Sequence, residues 1–182
     1  MKDKEKIDNS LNLLVDDLRL ALKGDAFWED YLEQLNKPCL EPFALHLAVL
    51  VEPYLQFILD GQKTVESRFA TRRFAPYQRV QKGDIVLLKR SSGAIVGVCQ
   101  VACVWFYELD PESWQTIKEK FTAAICAQDN KFWEDREKAS YATLMRIQNV
   151  KPISPVKFVK RDRRGWVVLH ENLGQLELDL WK

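Results

Sequence analysis

The chain has 182 residues, of which 47% are apolar and 29% are charged, and its formal net charge is +1. This length and apolar content predict one globular domain with an appendage, and the small net charge excludes a general attraction to nucleic acid or to membranes. The charge is uneven, because residues 1–37 hold 6 Lys/Arg and 9 Asp/Glu whereas the remainder holds 21 and 17, a net charge of +4.

Residues 1–37 are predicted to form a helical hairpin that is separate from the main domain, residues 38–182. Ser10 precedes a helix that ends at Gly24 and has one apolar stripe, formed by Leu11, Leu14, Val15, Leu18 and Leu22. A second helix, 26–36, is expected to turn Phe27, Tyr31 and Leu35 inwards. Because helices of this length are marginal alone, we expect the hairpin to pack on the main domain, with a protein partner as the alternative.

A strand–helix–strand unit is predicted next. The apolar run 44–51 indicates a buried strand, and Pro53 begins a short helix with Tyr54, Phe57 and Ile58 on its inner face. Gly61 ends this helix, and 64–69 reads as a second strand. Alternation along that strand places Thr64, Glu66 and Arg68 on one face.

The rest of the chain alternates between predicted strands, turns and two helices. We predict a loop over 70–81, strands over 85–90 and 94–107, helices from Pro111 to about Cys126 and over 131–138, and strands over 141–150 and 166–169. A bulge is expected near Gly97, and Pro152 and Pro155 are expected to end the strand that begins at Tyr141. This order predicts an α+β fold, a partly open β-barrel with surrounding helices and the N-terminal hairpin.

The sequence gives no support for a metal site, a membrane-spanning helix or a signal sequence. The four cysteines, at 39, 99, 103 and 126, form no C-x-x-C pair and no metal-binding spacing, and His46 is expected to be a satisfied core or rim histidine. No window has the roughly 18 consecutive apolar residues of a membrane-spanning helix, and the first residues lack an apolar signal core. We therefore expect a cytoplasmic protein with no metal, no cofactor and no membrane association.

Lys63, Glu66 and Arg68 are the first candidate site, because the strand–helix–strand unit brings all three to one turn. They are either an ion-pair group that braces the turn or the charged part of a ligand cleft. In a cleft, Arg68 or Lys63 would meet a phosphate or a base carbonyl, and Glu66 would orient them or accept from a base amino group.

Two basic segments form the second candidate site. The first contains Arg72, Arg73, Arg79 and Lys82, with Tyr77 among them, and the second contains Lys157, Lys160, Arg161, Arg163 and Arg164, followed by Trp166. Basic side chains with nearby aromatic rings suit RNA, whose phosphates they neutralise and whose bases stack. Solvated loops without function are the alternative.

The spacing of Gly61, Lys63, Glu66 and Arg68 matches G-x-K-x-x-E-x-R, and the chain thereby resembles the ASCH domain family, small β-barrels related to PUA domains. The preceding helix and the later Gly83-Asp84 also fit, so that the resemblance extends over about 42–169. It implies a PUA-like barrel in residues 38–182 that binds RNA or a modified nucleoside or nucleotide through the residues of both candidate sites.

The resemblance also implies a second function, because some similar proteins hydrolyse the amide of N4-acetylcytidine or cleave RNA. In such an enzyme Lys63 would be the general base, with Thr64 and Glu66 as further catalytic residues. The amidohydrolases have a Thr nucleophile three residues after the Lys, where this chain has Glu66. A carboxylate there would hold Lys63 charged, so we favour binding over catalysis.

Overall fold

The computed structural model describes residues 2–33, 43–159 and 163–170. Five helices and six strands lie in these ranges, and none of the helices is long and apolar enough to cross a membrane. In chain order they are α1 (Lys2–Ala21), α2 (Ala26–Glu33), β1 (Leu45–Leu50), α3 (Tyr54–Leu59), β2 (Val65–Ala70), β3 (Ile85–Arg90), β4 (Ile95–Glu108), α4 (Pro111–Phe121), α5 (Asn130–Glu134), β5 (Tyr141–Val156) and β6 (Trp166–His170).

The six strands form one mixed sheet in the order β2-β5-β4-β3-β1-β6. Only β1 and β3 pair in parallel, and every other neighbouring pair is antiparallel. The sheet is a half-barrel, so the α+β, partly open barrel predicted from the sequence is confirmed. Its two outer strands, β2 and β6, are not paired with each other, and the open seam between them is where the candidate site lies.

The two faces of the sheet belong to different apolar cores. Along β1, Leu45 and Leu47 pack in the core that contains α1 and α2, whereas Ala48 and Leu50 pack in the core that contains α3. A third core joins α4 and α5 to β2 and β5. Because side chains alternate along β1, helices α1 and α2 cover one face of the strand and helix α3 covers the other.

The N-terminal hairpin packs on the sheet, as the stripe on α1 predicted. Leu14, Leu18 and Leu22 are buried together with residues of β1 and β3. The helix begins at Lys2 rather than after Ser10. The predicted inner face of α2 is correct for Tyr31, which packs against this core, but it missed Trp28 and Leu32, which are buried, and Phe27 is 40% exposed; Leu35 lies outside the described residues.

Replacing Leu18 with Ala tests this packing. Leu18 is fully buried, so the substitution should lower the free energy of unfolding by about 2–5 kcal/mol. Leu20 lies on the same helix and is 74% exposed, so Leu20→Ala is the matched control and should change stability by less than about 0.5 kcal/mol. Urea unfolding followed by tryptophan fluorescence measures both, and equal stabilities of the two variants would contradict the packing.

Strand β5 differs most from its prediction. It continues to Val156 through Pro152 and Pro155, which were expected to end it. Strand β2 pairs with β5 only as far as Arg146, so the later part of β5 has β4 as its one neighbour in the sheet. A proline without an N–H is tolerated where one side of a strand needs no ladder bond.

The insertion between β4 and β5 contains shorter helices than predicted. Helix α4 ends at Phe121 instead of near Cys126, and α5 covers Asn130–Glu134 instead of 131–138. Asp110 caps α4 by accepting from the Ser113 N–H at 2.7 Å, which confirms the predicted start. The turn after α4 passes beside β2, where it contributes to the site.

Candidate functional site

The turn between α3 and β2 is held from two sides. Gly61 adopts φ +74°, a conformation that favours glycine, and the Lys63 N–H donates to the Phe57 carbonyl at 2.9 Å. The N–H groups of Thr64 and Val65 both donate to the Ala124 carbonyl at 3.0 Å. The segment that carries the charged residues is therefore fixed to α3 and to the turn after α4.

The ammonium of Lys63 is buried and lies among three oxygen acceptors. Its side chain is 2% exposed, and Nζ donates to the Val65 carbonyl at 2.8 Å and to the Ile125 carbonyl at 3.5 Å. The third acceptor is Glu66 Oε2 at 3.2 Å. Burial lowers the pKa of Lys63, and the Glu66 carboxylate only partly offsets that effect.

Glu66 lies between two cations. Its carboxylate is 3.2 Å from Lys63 Nζ through Oε2 and 2.7 Å from Arg68 Nε through Oε1. Burial alone would raise the pKa of Glu66, but the charges of Lys63 and Arg68 outweigh it and hold the pKa below its usual value. Glu66 therefore pairs with both partners at once, a point that the sequence left open.

Arg68 bridges the open seam of the sheet. From β2 its guanidinium donates to the Gly165 carbonyl at 3.1 Å, just before β6, and to the Val49 carbonyl of β1 at 3.2 Å. Nε makes the ion pair with Glu66 without the alignment of a hydrogen bond. A Cβ on Gly165 would come within 3.1 Å of Nη1, so the close approach suits glycine at that position.

A buried chain of side chains supports Arg68 from the sheet. Its guanidinium lies 5.3 Å from the centre of the Trp166 ring, and Trp166 Nε1 donates to His46 Nδ1 at 3.2 Å. Because an indole can only donate, Nδ1 is the acceptor, and Nε2 carries the proton that points to Asp84 Oδ2 at 2.8 Å. His46 is thus a satisfied core histidine, as predicted, and Trp166 is 3% exposed.

Two adjoining clefts share Arg68 and Phe69. The seam cleft has a volume of about 280 Å³ and is lined by residues 49–51 and 66–69 with Tyr54, Lys63, Phe132 and Arg136. The second cleft has a volume of about 170 Å³ and is lined by residues 68–70 and 74–77 with Tyr141, Thr143, Gly165 and Trp166. The charged turn lines the seam cleft, and the second cleft is lined by Tyr77 of the first basic segment and by Trp166, which follows the second segment.

The residues of the basic segments take different positions around the second cleft. Tyr77 lines it and is buried against Phe106 and Tyr141, which leaves Phe74, 64% exposed, as the accessible ring. Arg72 is exposed, and Arg73 pairs with Glu108. Arg163 and Arg164 are exposed beside Gly165, and Arg161 lies outside the described residues.

Thr64 does not share a face with Glu66, contrary to the predicted alternation. Thr64 is exposed and Glu66 is 5% exposed, because β2 begins only at Val65 and the preceding residue lies in the turn. Among the described residues that line the seam cleft, Ser67 carries an aliphatic hydroxyl and Tyr54 a phenolic one. Among the residues described, no group of His, Cys, Asp and Glu has the arrangement of a metal site.

Sequence reasoning missed Arg136, Tyr54 and Phe132 as parts of the cleft. The guanidinium of Arg136 lies 3.7 Å from the centre of the Phe132 ring, and Tyr54 contacts the same ring edge-on. The i, i+4 spacing of Phe132 and Arg136 was the available signal, since it places both on one side of a helical turn. Whether Phe132 and Arg136 reach β2 depends on how the insertion between β4 and β5 packs against the sheet.

Comparisons with known proteins agree with this architecture. The ASCH domain family model matches residues 49–158. An ASCH protein from Zymomonas mobilis has a similar structure, with a TM-score of 0.56, 15% identity, and coverage of 75% of this chain and 95% of its own. Two mutant forms of that protein, also 15% identical, have TM-scores of 0.57 and 0.56, and the matches cover 77% and 75% of this chain and 99% and 98% of theirs. No curated protein sequence matches the chain.

Proposed function

The chain belongs to the ASCH domain family, and we propose that it binds RNA or a nucleotide in the seam cleft and the second cleft. One base would occupy the seam cleft, whose volume of about 280 Å³ is at the small end for ligand pockets and suits a single base or nucleoside. The neighbouring nucleotide would lie over the second cleft.

The position of Arg68 between the two clefts is the observation that carries this proposal. Of its five N–H groups, one faces Glu66 and two donate to the Val49 and Gly165 carbonyls, which leaves one on each terminal nitrogen. Glu66 likewise retains acceptor capacity beyond its two ion pairs. A donor beside an acceptor matches a base edge that has a carbonyl next to an amino or imino group.

The surface around the second cleft suits the rest of a nucleic-acid strand. Phe74 is 64% exposed at its rim and offers a ring for base stacking. Arg72 and Arg163 are exposed, each two residues before a residue that lines the cleft, Phe74 and Gly165, and would neutralise phosphates. The ring of Trp166 is covered by Arg68 and buried, so its role in binding is to support Arg68.

The surroundings of Lys63 favour binding over hydrolysis. All three groups around Nζ are acceptors, so each proton of the ammonium has a partner, and a neutral amine would direct its lone pair at an oxygen. Burial lowers the pKa of Lys63, as a general base requires, but the hydroxyl of Thr64 is outside the lining of the cleft. We assign Lys63 to holding Glu66 in place.

Salt dependence of RNA binding tests the proposal. We expect a ten-nucleotide single-stranded RNA to bind with a dissociation constant whose logarithm rises linearly with the logarithm of salt concentration. Replacing Arg72 and Arg163 together with Gln should reduce that slope by about 1.4, since each lost phosphate contact on a single strand removes about 0.7. Fluorescence polarisation from 25 mM to 300 mM salt measures it. No binding of this RNA at the lowest salt would refute RNA as the ligand.

A further inference from the structure

Arg136 brings an additional positive charge to the seam cleft. It follows α5 in the insertion, and its half-buried guanidinium lies over the Phe132 ring and donates through Nη1 to the Phe132 carbonyl at 2.7 Å. No carboxylate in residues 11–33, 43–159 or 163–170 forms an ion pair with it. Burial lowers the pKa of Arg136, because the charged guanidinium has lost part of its hydration.

Among the described residues, the cleft is therefore lined by more positive than negative side chains. Lys63 and Arg68 share a single carboxylate, that of Glu66, and Arg136 adds a third cation, so these four side chains sum to +2. Charges withdrawn from water are costly unless they are paired. A neutral nucleoside would enter the cleft without compensating this excess, whereas an anionic group would gain from it.

We infer that the seam cleft selects ligands that carry a phosphate group on the nucleoside, and that Arg136 is the residue that binds this phosphate. This inference rests on the proposed function and specifies the chemical class of its ligand. Arginine suits the task, because its planar fork can donate two parallel hydrogen bonds to phosphate oxygens. The Phe132 ring and carbonyl hold the guanidinium in place and leave its other N–H groups available.

Binding of nucleosides and nucleotides to the full chain tests the inference. Calorimetric titrations would use the four ribonucleosides, their 5′- and 3′-monophosphates, and inorganic phosphate. We expect at least one monophosphate to bind ten- to a hundredfold more tightly than its nucleoside, the effect of a charge-assisted hydrogen bond. Arg136→Gln should remove most of this preference, whereas Arg136→Lys should retain part of it.

A matched control is Arg146→Gln. Arg146 is exposed, lies over the Trp105 ring at 5.7 Å and lines neither cleft, so its replacement should leave the phosphate preference unchanged. Circular dichroism and thermal unfolding establish that each variant is folded.

The outcomes separate the inference from the proposed function. Equal binding of a nucleoside and its monophosphate would overturn the inference while RNA binding at low salt still supported the proposed function. A preference for the monophosphate that survives Arg136→Gln would overturn the assignment of Arg136, and inorganic phosphate that binds as tightly as the nucleotides would overturn recognition of a nucleotide. Failure of the RNA and of every monophosphate to bind would overturn both.

Discussion

Replacing Glu66 with Gln should lower the free energy of unfolding at pH 7 by about 3–5 kcal/mol, because it leaves two cations withdrawn from water without their counter-charge. Lys63 is 2% exposed and Arg68 is 19% exposed, and Glu66 is the one carboxylate that pairs with either among the residues described. Glutamine retains the shape of the side chain, so the loss measures charge rather than volume. Chemical denaturation followed by circular dichroism provides the measurement.

Glu52→Gln is the matched control for this prediction. Glu52 pairs with Arg90, and both side chains are more than 40% exposed, so loss of that ion pair should cost less than about 1 kcal/mol. If the two variants were equally stable, the Lys63–Glu66–Arg68 group would not be the energetic centre that its burial indicates.

The stability of the wild-type protein should also depend on Glu66 in acid. Its pKa in the folded protein lies below the ordinary value of 4.5, so the folded state holds the carboxylate charged more strongly than the unfolded chain does. The stabilisation is therefore complete above about pH 5 and is lost as the pH falls through the folded-state pKa. The difference between wild type and Glu66→Gln should shrink on acidification from pH 5 to pH 3.

Replacing Arg68 with Lys should weaken RNA binding by about ten- to a hundredfold. Lysine retains the positive charge but cannot reach Glu66, the Val49 and Gly165 carbonyls and a ligand at once, because it has no planar fork. The two edges of the seam would also lose the side chain that joins them. Fluorescence polarisation with the same RNA measures the change, and circular dichroism checks the fold.

Arg90→Lys controls for replacing an arginine at the surface. Arg90 pairs with Glu52 and lines neither cleft, so the affinity of the Arg90→Lys variant for RNA should remain within about twofold of wild type. An Arg68→Lys variant with wild-type affinity would mean that the guanidinium does not contact the ligand. Release of acetate from N4-acetylcytidine by the wild-type protein, or cleavage of the RNA, would instead support the hydrolase alternative.

The charged turn could be predicted because its information is local. Gly61, Lys63, Glu66 and Arg68 lie within eight residues, and a helix that ends at a glycine and continues as a strand must bring them to one place. The stripe on α1 and the alternation of β1 were readable for the same reason, since helical and strand periods are properties of short segments. These signals were sufficient for the α+β class and the partly open sheet.

Local patterns failed where contact with another segment decides which side chains are buried or how far a strand continues. In helix α2, contact with the sheet buries Trp28 and Leu32 and packs Tyr31 beside them, whereas Phe27 is left 40% exposed. Strand β5 passes through two prolines because β2 is too short to pair with that part of it. Neither choice is determined by propensity, since packing partners override it.

The cleft itself depends on contacts between residues that are far apart in the chain. Lys63 meets Ile125 across 62 residues, Arg68 meets Gly165 across 97, and Trp166 meets His46 across 120. The local sequence determined which charges gather at the turn after α3, but the folding of the sheet and its insertion decided that Glu66 serves two cations and that Arg136 joins them. Such contacts form only when burial of the apolar cores brings distant segments together, and the spacing of residues along the chain does not predict which segments meet.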